Sequence, residues 1–377
     1  MMNLLLIIFT LLAIYYLLFL LKIYSGLGKI SQTSGNDTAD HFISIIIPFR
    51  NEGENILKSI ESIEGLKYPR DKFEVLYVDD NSDDDSFNLV ESAKQSSNIK
   101  VLKLPGELSE RGNKKHALQY GIKNSVGDII ITTDADCIHH ENWLLRITSC
   151  FDSGTAFVSG AVEFIETEGM FTKIQSMEFG GLILAGAGLI GAGQPTICNG
   201  ANIAYRKEVF NEIGGFKGNI HLASGDDELL MQKIAYETEY KVRFCPDREA
   251  VVHTEPNSSF GSFFNQRKRW ASKSIFYTDK KLTVGLMLIF LFYTGLIAQT
   301  VLIFCGYFFF AVTLIVSLLI KVLTEFLIIR KGEKLFLSKK KVSIFLITEL
   351  FQVPYIIIAA ITGLAGGFTW KGRIIER

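Results

Sequence analysis

The sequence lacks several features that would assign it to a common class of protein. Its 377 residues include only five cysteines, and these form neither a CxxC pair nor a zinc-ligand spacing. Such isolated cysteines are typical of small buried side chains in a reducing compartment, and they argue against a disulfide framework. Neither charge sign is in excess, since 39 Lys and Arg face 40 Asp and Glu, so no nucleic-acid partner is implied.

The N-terminus lacks the parts of a secretory signal peptide. Residues 4–21 are almost entirely apolar, with no basic segment before them and no A-x-A cleavage site after them. Their length approaches the roughly 20 residues that span a bilayer. We therefore predict a transmembrane helix over residues 1–22 and a polar linker over residues 23–41. Lys22 and Lys29 follow the apolar run, and their positive charge predicts a cytoplasmic location for the next part of the chain.

Long apolar runs return only in the last quarter of the chain. Residues 282–320 carry no charge and are too long for one span, so we divide them near residues 299–306 into two helices, the second ending at Lys321. A third helix is expected over residues 342–368. The basic loop at 330–341 obeys the positive-inside rule if the middle of the chain is cytoplasmic, but the basic C-terminal tail would then lie outside. Either the rule fails there, or one segment lies in the membrane interface.

The middle of the chain alternates between strand and helix patterns. Short apolar runs typical of buried strands occupy residues 42–48, 73–78, 99–104, 129–132 and 156–162. Stretches with helical character follow the first and third of these runs, at residues 51–63 and 113–124, and such alternation predicts a doubly wound, mostly parallel α/β sheet. A segment rich in Gly and Ala at 180–193 is too short for a confident membrane span, so we interpret it as core or acceptor-side structure.

Two carboxylates stand just past the predicted strand at 129–132. Asp134 and Asp136 would lie at its C-terminal end, where open α/β sheets bind their ligands. Such a pair can share a divalent cation, because Mg²⁺ takes carboxylate oxygens and shares them with substrate phosphates. For a DxD pair alone, a turn with two solvated carboxylates is the more common alternative.

Taken in order, the motifs of this chain resemble those of family 2 glycosyltransferases with membrane anchors, the branch that includes cellulose, chitin and hyaluronan synthases. The segments that carry the resemblance are PFRNE, DDNSD, NKKHAL, TTDAD, CNGAN, SGDDELL and QRKRW. They lie between residues 42 and 270. The resemblance implies a GT-A nucleotide-sugar-binding domain over residues 42–278, and a C-terminal membrane region of about three helices over residues 279–377.

The resemblance also implies which residues line the nucleoside of the donor. Pro48 and Glu52 match the end of the family's opening strand, and Asp79 and Asp80 match its uridine-binding acid. Carboxylates at a strand end can accept hydrogen bonds from a uracil N–H and from ribose hydroxyls. The alternative for this acidic turn is a capped turn with solvated side chains.

A further group is implied for the diphosphate and its metal. Lys114 matches the lysine of the family's GKxxAL stretch, although Asn113 here replaces the glycine, and it would face the diphosphate as a point charge. Asp134 and Asp136 match the pair that binds a divalent metal, Mn²⁺ or Mg²⁺, and Asp134 would also contact the nucleotide sugar. His253 is a candidate third ligand, with a hydrogen-bonded structural histidine as the alternative.

The segment QRKRW matches the family's QxxRW signature. By that match Gln266 and Arg269 would bind the nucleotide sugar, with Arg269 able to pair bidentately with the diphosphate. Trp270 offers a flat face on which an acceptor sugar can stack. A basic amphipathic helix lying on the membrane is the alternative, and it is compatible with this role.

The acceptor side and the base are implied by two more segments. Asn199, Gly200 and Asn202 match the family's GxN stretch, and Asn202 is expected to contact the acceptor. Asp227 occupies the position of the catalytic base, which takes the proton of the acceptor hydroxyl. An N-cap carboxylate on the following helix is the alternative; Asp226 could cap that helix or bind the acceptor while Asp227 acts as the base.

The reaction implied is an inverting, metal-dependent transfer from a nucleotide sugar, with a UDP-sugar favoured, to a membrane-near or growing glycan acceptor. Single transfer to a lipid-linked acceptor and processive polysaccharide synthesis remain open, although about four spans favour an enzyme without its own polymer channel. A catalytically inactive nucleotide-binding scaffold would lack the DxD pair or the base, and both are present. We expect an integral protein of the bacterial inner or plasma membrane with a cytoplasmic catalytic domain; homo-oligomers or partner membrane subunits remain open.

Overall fold

The computed structural model describes residues 2–30, 41–106, 114–222, 224–272, 276–277, 279–365, 368–370 and 373–375. Asn113 and residues 31–40 of the expected linker lie outside the described residues. The described part consists of a mixed α/β region in the middle of the chain and long apolar helices towards both ends.

The main sheet has seven strands among the described residues. They are β1 Ile43–Phe49, β2 Phe73–Asp79, β3 Ile99–Lys103, β4 Ile129–Thr132, β6 Thr155–Gly160, β8 Ile203–Arg206 and β9 Lys241–Cys245, in the order β3-β2-β1-β4-β8-β6-β9. Strand β8 runs antiparallel to both of its neighbours, and the other pairs are parallel. A smaller sheet contains β5 Cys137–Ile138, β7 Val162–Phe164 and β10 Val252–Thr254, and a hairpin contains β11 Phe368–Trp370 and β12 Arg373–Ile375.

Twelve α-helices are described. They are α1 Met2–Lys29, α2 Ile56–Glu64, α3 Ser86–Ala93, α4 Lys114–Asn124, α5 Trp143–Thr148, α6 Met170–Gly191, α7 Lys207–Glu212, α8 Glu228–Glu237, α9 Phe260–Ser272, α10 Lys280–Phe304, α11 Phe310–Leu335 and α12 Val342–Ala365. Short 3-10 turns occur at Arg70–Lys72 and Arg248–Ala250.

Parallel pairing brings the predicted motifs to one edge of the main sheet. Every residue of β1, β2 and β4 is buried, which explains their nearly unbroken apolar runs, since both faces of a parallel sheet are covered. Phe49 at the end of β1 is paired with Asp79 at the end of β2, and Ile46 is paired with Thr132 at the end of β4. The segments that follow these three strands therefore start close together.

The predicted strands are confirmed with small changes in their ends. The run at 156–162 is an exception, because Ala161 separates β6 in the main sheet from β7 in the smaller sheet. The antiparallel strand β8 was not predicted. It has only four residues, IAYR, and so short a segment carries little periodic signal.

Five of the described helices, α1, α6, α10, α11 and α12, are long and apolar enough to cross a membrane. Helix α6 differs from the others, since 67% of its most apolar window is buried in the protein, compared with 22–28% for the other four. It packs against the ends of two neighbouring helices, with Gly188 against Ile23 of α1 and Leu184 against Gly332 of α11. These contacts favour core structure beside the membrane, as expected for this segment, over an independent span.

The division of the C-terminal apolar run into two helices is confirmed, because α10 ends at Phe304 and α11 begins at Phe310. The expectation that α11 ends at Lys321 is wrong. Lys321 is buried in the middle of the helix and forms ion pairs with Glu325 and with Glu349 of α12. The lysine is satisfied by these partners, so it does not require the aqueous boundary that its charge suggested.

Candidate active site

Most of the motif residues line a single cleft of about 880 Å³. It lies beyond the ends of β1 and β4, and helices α6, α9 and α10 contribute to its wall. Of the residues singled out in the sequence, the wall includes Pro48, Glu52, Asp80, Lys114, Asp134, Asp136, Asn199, Gly200, Asp226, Asp227, Gln266, Arg269 and Trp270. Segments that are far apart in the chain thus meet at one site, whereas Asp79, Asn202 and His253 are not part of this wall.

Lys114 joins the two acidic segments of the cleft. Its Nζ donates a hydrogen bond to Asp134 Oδ1 at 2.5 Å and lies 3.3 Å from Asp226 Oδ2. Burial lowers the pKa of Lys114, but the carboxylates of Asp134 and Asp226 outweigh burial and raise the pKa above its usual value. A permanent positive charge is therefore held where two carboxylates converge.

The turn at Asp226 and Asp227 is fixed by backbone contacts. Asp227 caps α8, because its Oδ1 accepts the backbone N–H of Glu228 at 2.7 Å. Its Oδ2 accepts the backbone N–H of Gly200 at 3.1 Å. A side chain at Gly200 would be tight here, since a Cβ would lie 3.1 Å from Asp226 Oδ2. Both motif segments therefore present their backbones and carboxylates to the same part of the cleft.

Arg50 was missed by the sequence reasoning, although it lies inside the PFRNE segment. Its guanidinium donates to the carbonyl oxygens of Asp80 at 2.7 Å and Asn81 at 2.5 Å, and to the Asp83 carboxylate at 2.8 Å. This arginine thereby connects the segment after β1 to the acidic turn after β2. Of the two acids expected at the nucleoside, Asp80 reaches the cleft, whereas buried Asp79 accepts the backbone N–H of Ser82 at 2.9 Å.

The QRKRW segment lies in the second half of α9, and Arg267 is its one buried residue. Arg267 forms an ion pair with Glu178 of α6, and Tyr355 of α12 donates a hydrogen bond to the same carboxylate. The Arg267 guanidinium also lies 4.4 Å from the Trp270 ring centroid. Gln266 accepts a hydrogen bond from Asn257 at 3.0 Å. These contacts hold the helix so that its first and last motif residues reach the cleft.

Arg269 is half-buried in the wall of the cleft. Burial lowers its pKa, and the nearby carboxylates of Asp226, Asp227 and Asp134 oppose that change. Trp270 packs its ring against Phe179 of α6, with centroids 6.0 Å apart. The stacking platform expected for an acceptor is therefore part of an aromatic wall shared by α6 and α9.

Asn202 occupies a different place from the one that acceptor binding needs. It has no exposed surface; its Nδ2 donates to the carbonyl oxygens of Ala161 and Ala250, and its Oδ1 accepts from Trp143 Nε1 at 3.0 Å. The side chain joins the β6–β7 connection, the 3-10 turn at Arg248–Ala250 and helix α5. We therefore leave it out of the acceptor-binding residues proposed below.

His253 also lies away from the cleft, in the middle strand of the smaller sheet. It is half-buried in β10, and its register partners are Ile138 in β5 and Glu163 in β7. Within the residues that the structure describes, no cluster of three or more His, Cys, Asp or Glu side chains could hold a metal. This position favours the structural alternative for His253, and we do not propose it as a metal ligand.

Two further residues hold the turn at Asp226 and Asp227 and were not found from the sequence. Lys115 is buried, and its Nζ donates to the carbonyl oxygens of Asn219 at 2.6 Å and Ser224 at 2.9 Å, just before the GDD turn. Tyr277 donates a hydrogen bond to Glu228 at 2.7 Å. Neither contact has a signal in the sequence, because each pair is separated by about fifty residues or more.

Asp134 and Asp136 fit a divalent cation that is shared with a ligand. Both residues reach the cleft, and Asp134 already faces a positive group, the ammonium of Lys114. The pair supplies too few ligands for a cation alone. Mg²⁺ is usually bound by one or two carboxylates together with substrate phosphates and water, so the pair matches that kind of site.

Comparison with known proteins agrees with this arrangement. The family Glycosyl transferase family 2 matches residues 44–214. Glycosyltransferase AglE from Haloferax volcanii is 30% identical over 241 residues, which are 60% of this chain and 71% of the relative. A beta-monoglucosyldiacylglycerol synthase from Trichormus variabilis is 27% identical over 234 residues, which are 61% of this chain and only 48% of that relative.

A solved structure with a similar fold is the mannosyltransferase PcManGT from Pyrobaculum calidifontis, in complex with GDP-Man and Mn²⁺. The TM-score is 0.61 at 19% identity, and the match covers 95% of this chain and 97% of that one. The likeness therefore includes the apolar helices and not only the central sheet.

The mostly parallel sheet with flanking helices is a GT-A fold, and together with the cleft it defines an enzyme of the glycosyltransferase class that uses nucleotide-sugar donors. The chain belongs to glycosyl transferase family 2.

Proposed function

We propose that the protein transfers a sugar from a nucleotide sugar, with inversion and with a divalent metal, to an acceptor at the membrane. The observation that carries the proposal is the meeting of two acidic segments across Lys114, with Asp134 2.5 Å and Asp226 3.3 Å from its Nζ. A donor diphosphate needs positive charge, and an acceptor hydroxyl needs a base on the opposite side of the anomeric carbon. Lys114 supports the first requirement, and the carboxylates of Asp226 and Asp227 support the second.

The donor lies along the strand ends in this proposal. The nucleoside contacts Pro48, Glu52 and Asp80, while Lys114 and Arg269 face the diphosphate from the opposite side. Asp79 supports the acidic turn from below. A protein of similar fold binds GDP-Man, whereas the motif resemblance favours a UDP-sugar. The donor screen described below therefore has to identify the nucleobase.

Asp134 and Asp136 would hold the divalent cation, Mn²⁺ or Mg²⁺. When bound, it supplies positive charge that stabilises the departing diphosphate. Lys114 contacts Asp134 through Oδ1 and lies 3.3 Å from Asp226 Oδ2, so its ammonium would stand beside the cation and could face a phosphate oxygen of the donor. The ammonium of Lys114 therefore supplies a positive charge beside Asp134 before the donor binds.

Asp227 is the proposed base. It takes the proton of the acceptor hydroxyl as that oxygen bonds to the anomeric carbon and the carbon–oxygen bond to the diphosphate breaks. Gly200 and Glu228 orient the carboxylate through their backbone N–H groups. Trp270 and Asp226 complete the acceptor side of the cleft.

The cellular setting is part of the same proposal. Helices α1, α10 and α11 cross a bacterial inner or plasma membrane, and α12 either crosses it too or lies in its interface. The catalytic domain is cytoplasmic, as Lys22 and Lys29 near the end of α1 and the basic residues around the α11–α12 connection favour. At the α10–α11 connection four aromatic side chains are exposed together, Phe304, Tyr307, Phe308 and Phe309, as expected where the chain meets a membrane–water interface. Aromatic side chains gather at membrane–water interfaces.

A screen of nucleotide sugars tests the proposal. The full chain in lipid nanodiscs is offered UDP- and GDP-sugars with Mn²⁺, Mg²⁺ or EDTA, and binding and donor hydrolysis are measured. We expect metal-dependent binding of at least one donor. Asp134→Asn and Asp136→Asn should abolish turnover and remove the metal dependence, while Asp71→Asn, at an exposed carboxylate outside the cleft, should change neither. Unchanged metal-dependent binding in both variants would refute the metal assignment, and no binding of any donor would refute the function.

A further inference from the structure

The catalytic cleft has an apolar end that the donor does not need. This part of its wall includes Phe179, Leu182 and Ile183 of α6 and Leu286 of α10. None of these four side chains can bond to a sugar hydroxyl. A growing polysaccharide in this part of the cleft would lose its contacts with water and gain no hydrogen bonds in return.

This apolar end lies at the level of the membrane. Leu286 follows Lys280, the first residue of α10, by six residues, or roughly 9 Å along the helix at ~1.5 Å per residue. On the outer side of the same turn, Val284 is 56% and Met287 is 62% exposed, as side chains that face lipid are. Leu286 is half-buried and faces the cleft instead. Helix α10 thus separates the cleft from the lipid by the width of one helix.

Helix α6 also lines the cleft and is held by the apolar helices of the two chain ends. Its second half packs against the inner ends of two spans, because Gly188 contacts Ile23 of α1 and Leu184 contacts Gly332 of α11. Leu182 and Ile183, directly before Leu184, line the cleft. The apolar walls are therefore continuous with the membrane helices and not an isolated pocket in the catalytic domain.

We propose that the acceptor is an amphiphile, with a hydroxyl or phosphate head at Asp227 and a hydrocarbon tail between α6 and α10 that continues into the bilayer. The inference rests on the proposed function and names the acceptor class of that site. The head oxygen bonds to the anomeric carbon, the bond to the diphosphate breaks, and the nucleoside diphosphate leaves. A hydroxyl head gives its proton to Asp227, whereas an ionised phosphate head has no proton to give.

Transfer of sugar from a radiolabelled donor distinguishes an amphiphilic acceptor from a growing polymer. The full chain is placed in phosphatidylcholine nanodiscs with 1,2-dioleoylglycerol as the hydroxyl probe or farnesyl phosphate as the phosphate probe, and with glycerol and glycerol phosphate as soluble counterparts. We expect the label in the organic phase with one of the two lipids, and kcat/KM at least tenfold higher than for its soluble counterpart. Each buried methylene favours binding by roughly fourfold, so this margin is modest.

Matched variants assign the effect to the apolar walls. Leu286→Gln and Leu182→Gln, one on each wall, should lower the ratio of lipid transfer to donor hydrolysis at least tenfold. Val284→Gln, on the lipid side of the same helix, should leave the ratio unchanged. Because the ratio is measured within each variant, partial loss of folded protein does not affect it.

Several results would overturn the inference. They are label in water-soluble or polymeric products, hydrolysis alone with both lipids present, or equal ratios for Leu286→Gln, Leu182→Gln and Val284→Gln. Donor hydrolysis in the unsubstituted protein separates this failure from that of the proposed function, because it reports on the donor site only. A protein that neither hydrolyses a nucleotide sugar nor transfers its sugar to any acceptor contradicts both.

Discussion

Asp227→Asn separates two roles that one carboxylate performs. In the structure its two oxygens accept the backbone N–H groups of Glu228 at 2.7 Å and Gly200 at 3.1 Å. Asparagine has nearly the same shape but only one acceptor oxygen. Its amide group must therefore face one of these two N–H donors, and no proton acceptor remains for the substrate.

The structural cost can be estimated from these contacts. One hydrogen bond to a charged group contributes about 1.5–3 kcal/mol. The helix-dipole interaction of the carboxylate adds about 0.3–1 kcal/mol, while Asn remains a good N-cap. A loss of ~2–4 kcal/mol leaves most molecules folded if the free energy of unfolding is about 5–15 kcal/mol. Loss of a general base lowers the rate by about 10²–10⁴, so the chemical effect should dominate the measured activity.

The assay pairs transfer rate with donor affinity measured by calorimetry. We expect Asp227→Asn to lose about 10²–10⁴ in rate with donor affinity close to that of the unsubstituted protein. Asp279→Asn is the matched control, since Asp279 caps α10 by accepting the Lys281 N–H at 2.8 Å and lies outside the cleft wall. It should keep transfer within a fewfold.

Asp226→Asn, measured in parallel, decides between neighbouring carboxylates. If it alone loses transfer while Asp227→Asn keeps it, the base is Asp226. If both variants bind the donor poorly, the turn belongs to the donor site, as the 3.3 Å contact between Asp226 and Lys114 would allow. Either result refutes the assignment of the base to Asp227.

Two more predictions concern stability and orientation. Burial lowers the pKa of His139 to about 3, below its unfolded value near 6.5, so stability should fall as pH drops below ~6.5 and continue to fall towards ~3. In His139→Gln, the melting temperature should depend less on pH between pH 7 and 4, and an unchanged dependence would contradict this. The variant also loses part of the native contacts, because both ring nitrogens have hydroxyl partners, in Ser62 and Thr133, that glutamine only partly replaces. Cys305 is exposed between α10 and α11, so an impermeant maleimide should label it in intact cells. Cys305→Ser is the control, and labelling only after permeabilisation would reverse the proposed orientation.

Local patterns in the sequence identified the parts of the fold that depend on near neighbours. The unbroken apolar runs of β1, β2 and β4 predicted a parallel sheet, and the polar residues after these strands predicted its ligand edge, because strand direction places them there. The length and composition of α10 and α11 likewise predicted membrane helices. In each case the signal lies within one element.

Features that depend on distant partners could not be predicted. Asn202 has the composition of a cleft residue, but its partners Ala161 and Ala250 are 41 and 48 residues away. Arg267 resembles any basic residue on a surface helix until Glu178, 89 residues earlier, is packed against it. Lys321 suggested a membrane boundary because the sequence does not show that Glu325 and Glu349, on α11 and α12, pair with it. Periodicity contains no information on such pairs.

The contact between α1 and α6 determines how the enzyme meets its membrane. At Gly26 the two helices touch backbone to backbone, and a Cβ there would lie 1.8 Å from the carbonyl oxygen of Gly188. Such close packing joins α1 rigidly to α6, and α6 lines the cleft. The catalytic domain therefore keeps one position relative to this N-terminal helix. The distance of the reaction from the lipid surface is therefore fixed by the protein. In a thicker or thinner bilayer the whole molecule must tilt, or the lipid around it must deform. The active site cannot change its height above the membrane independently of the helices.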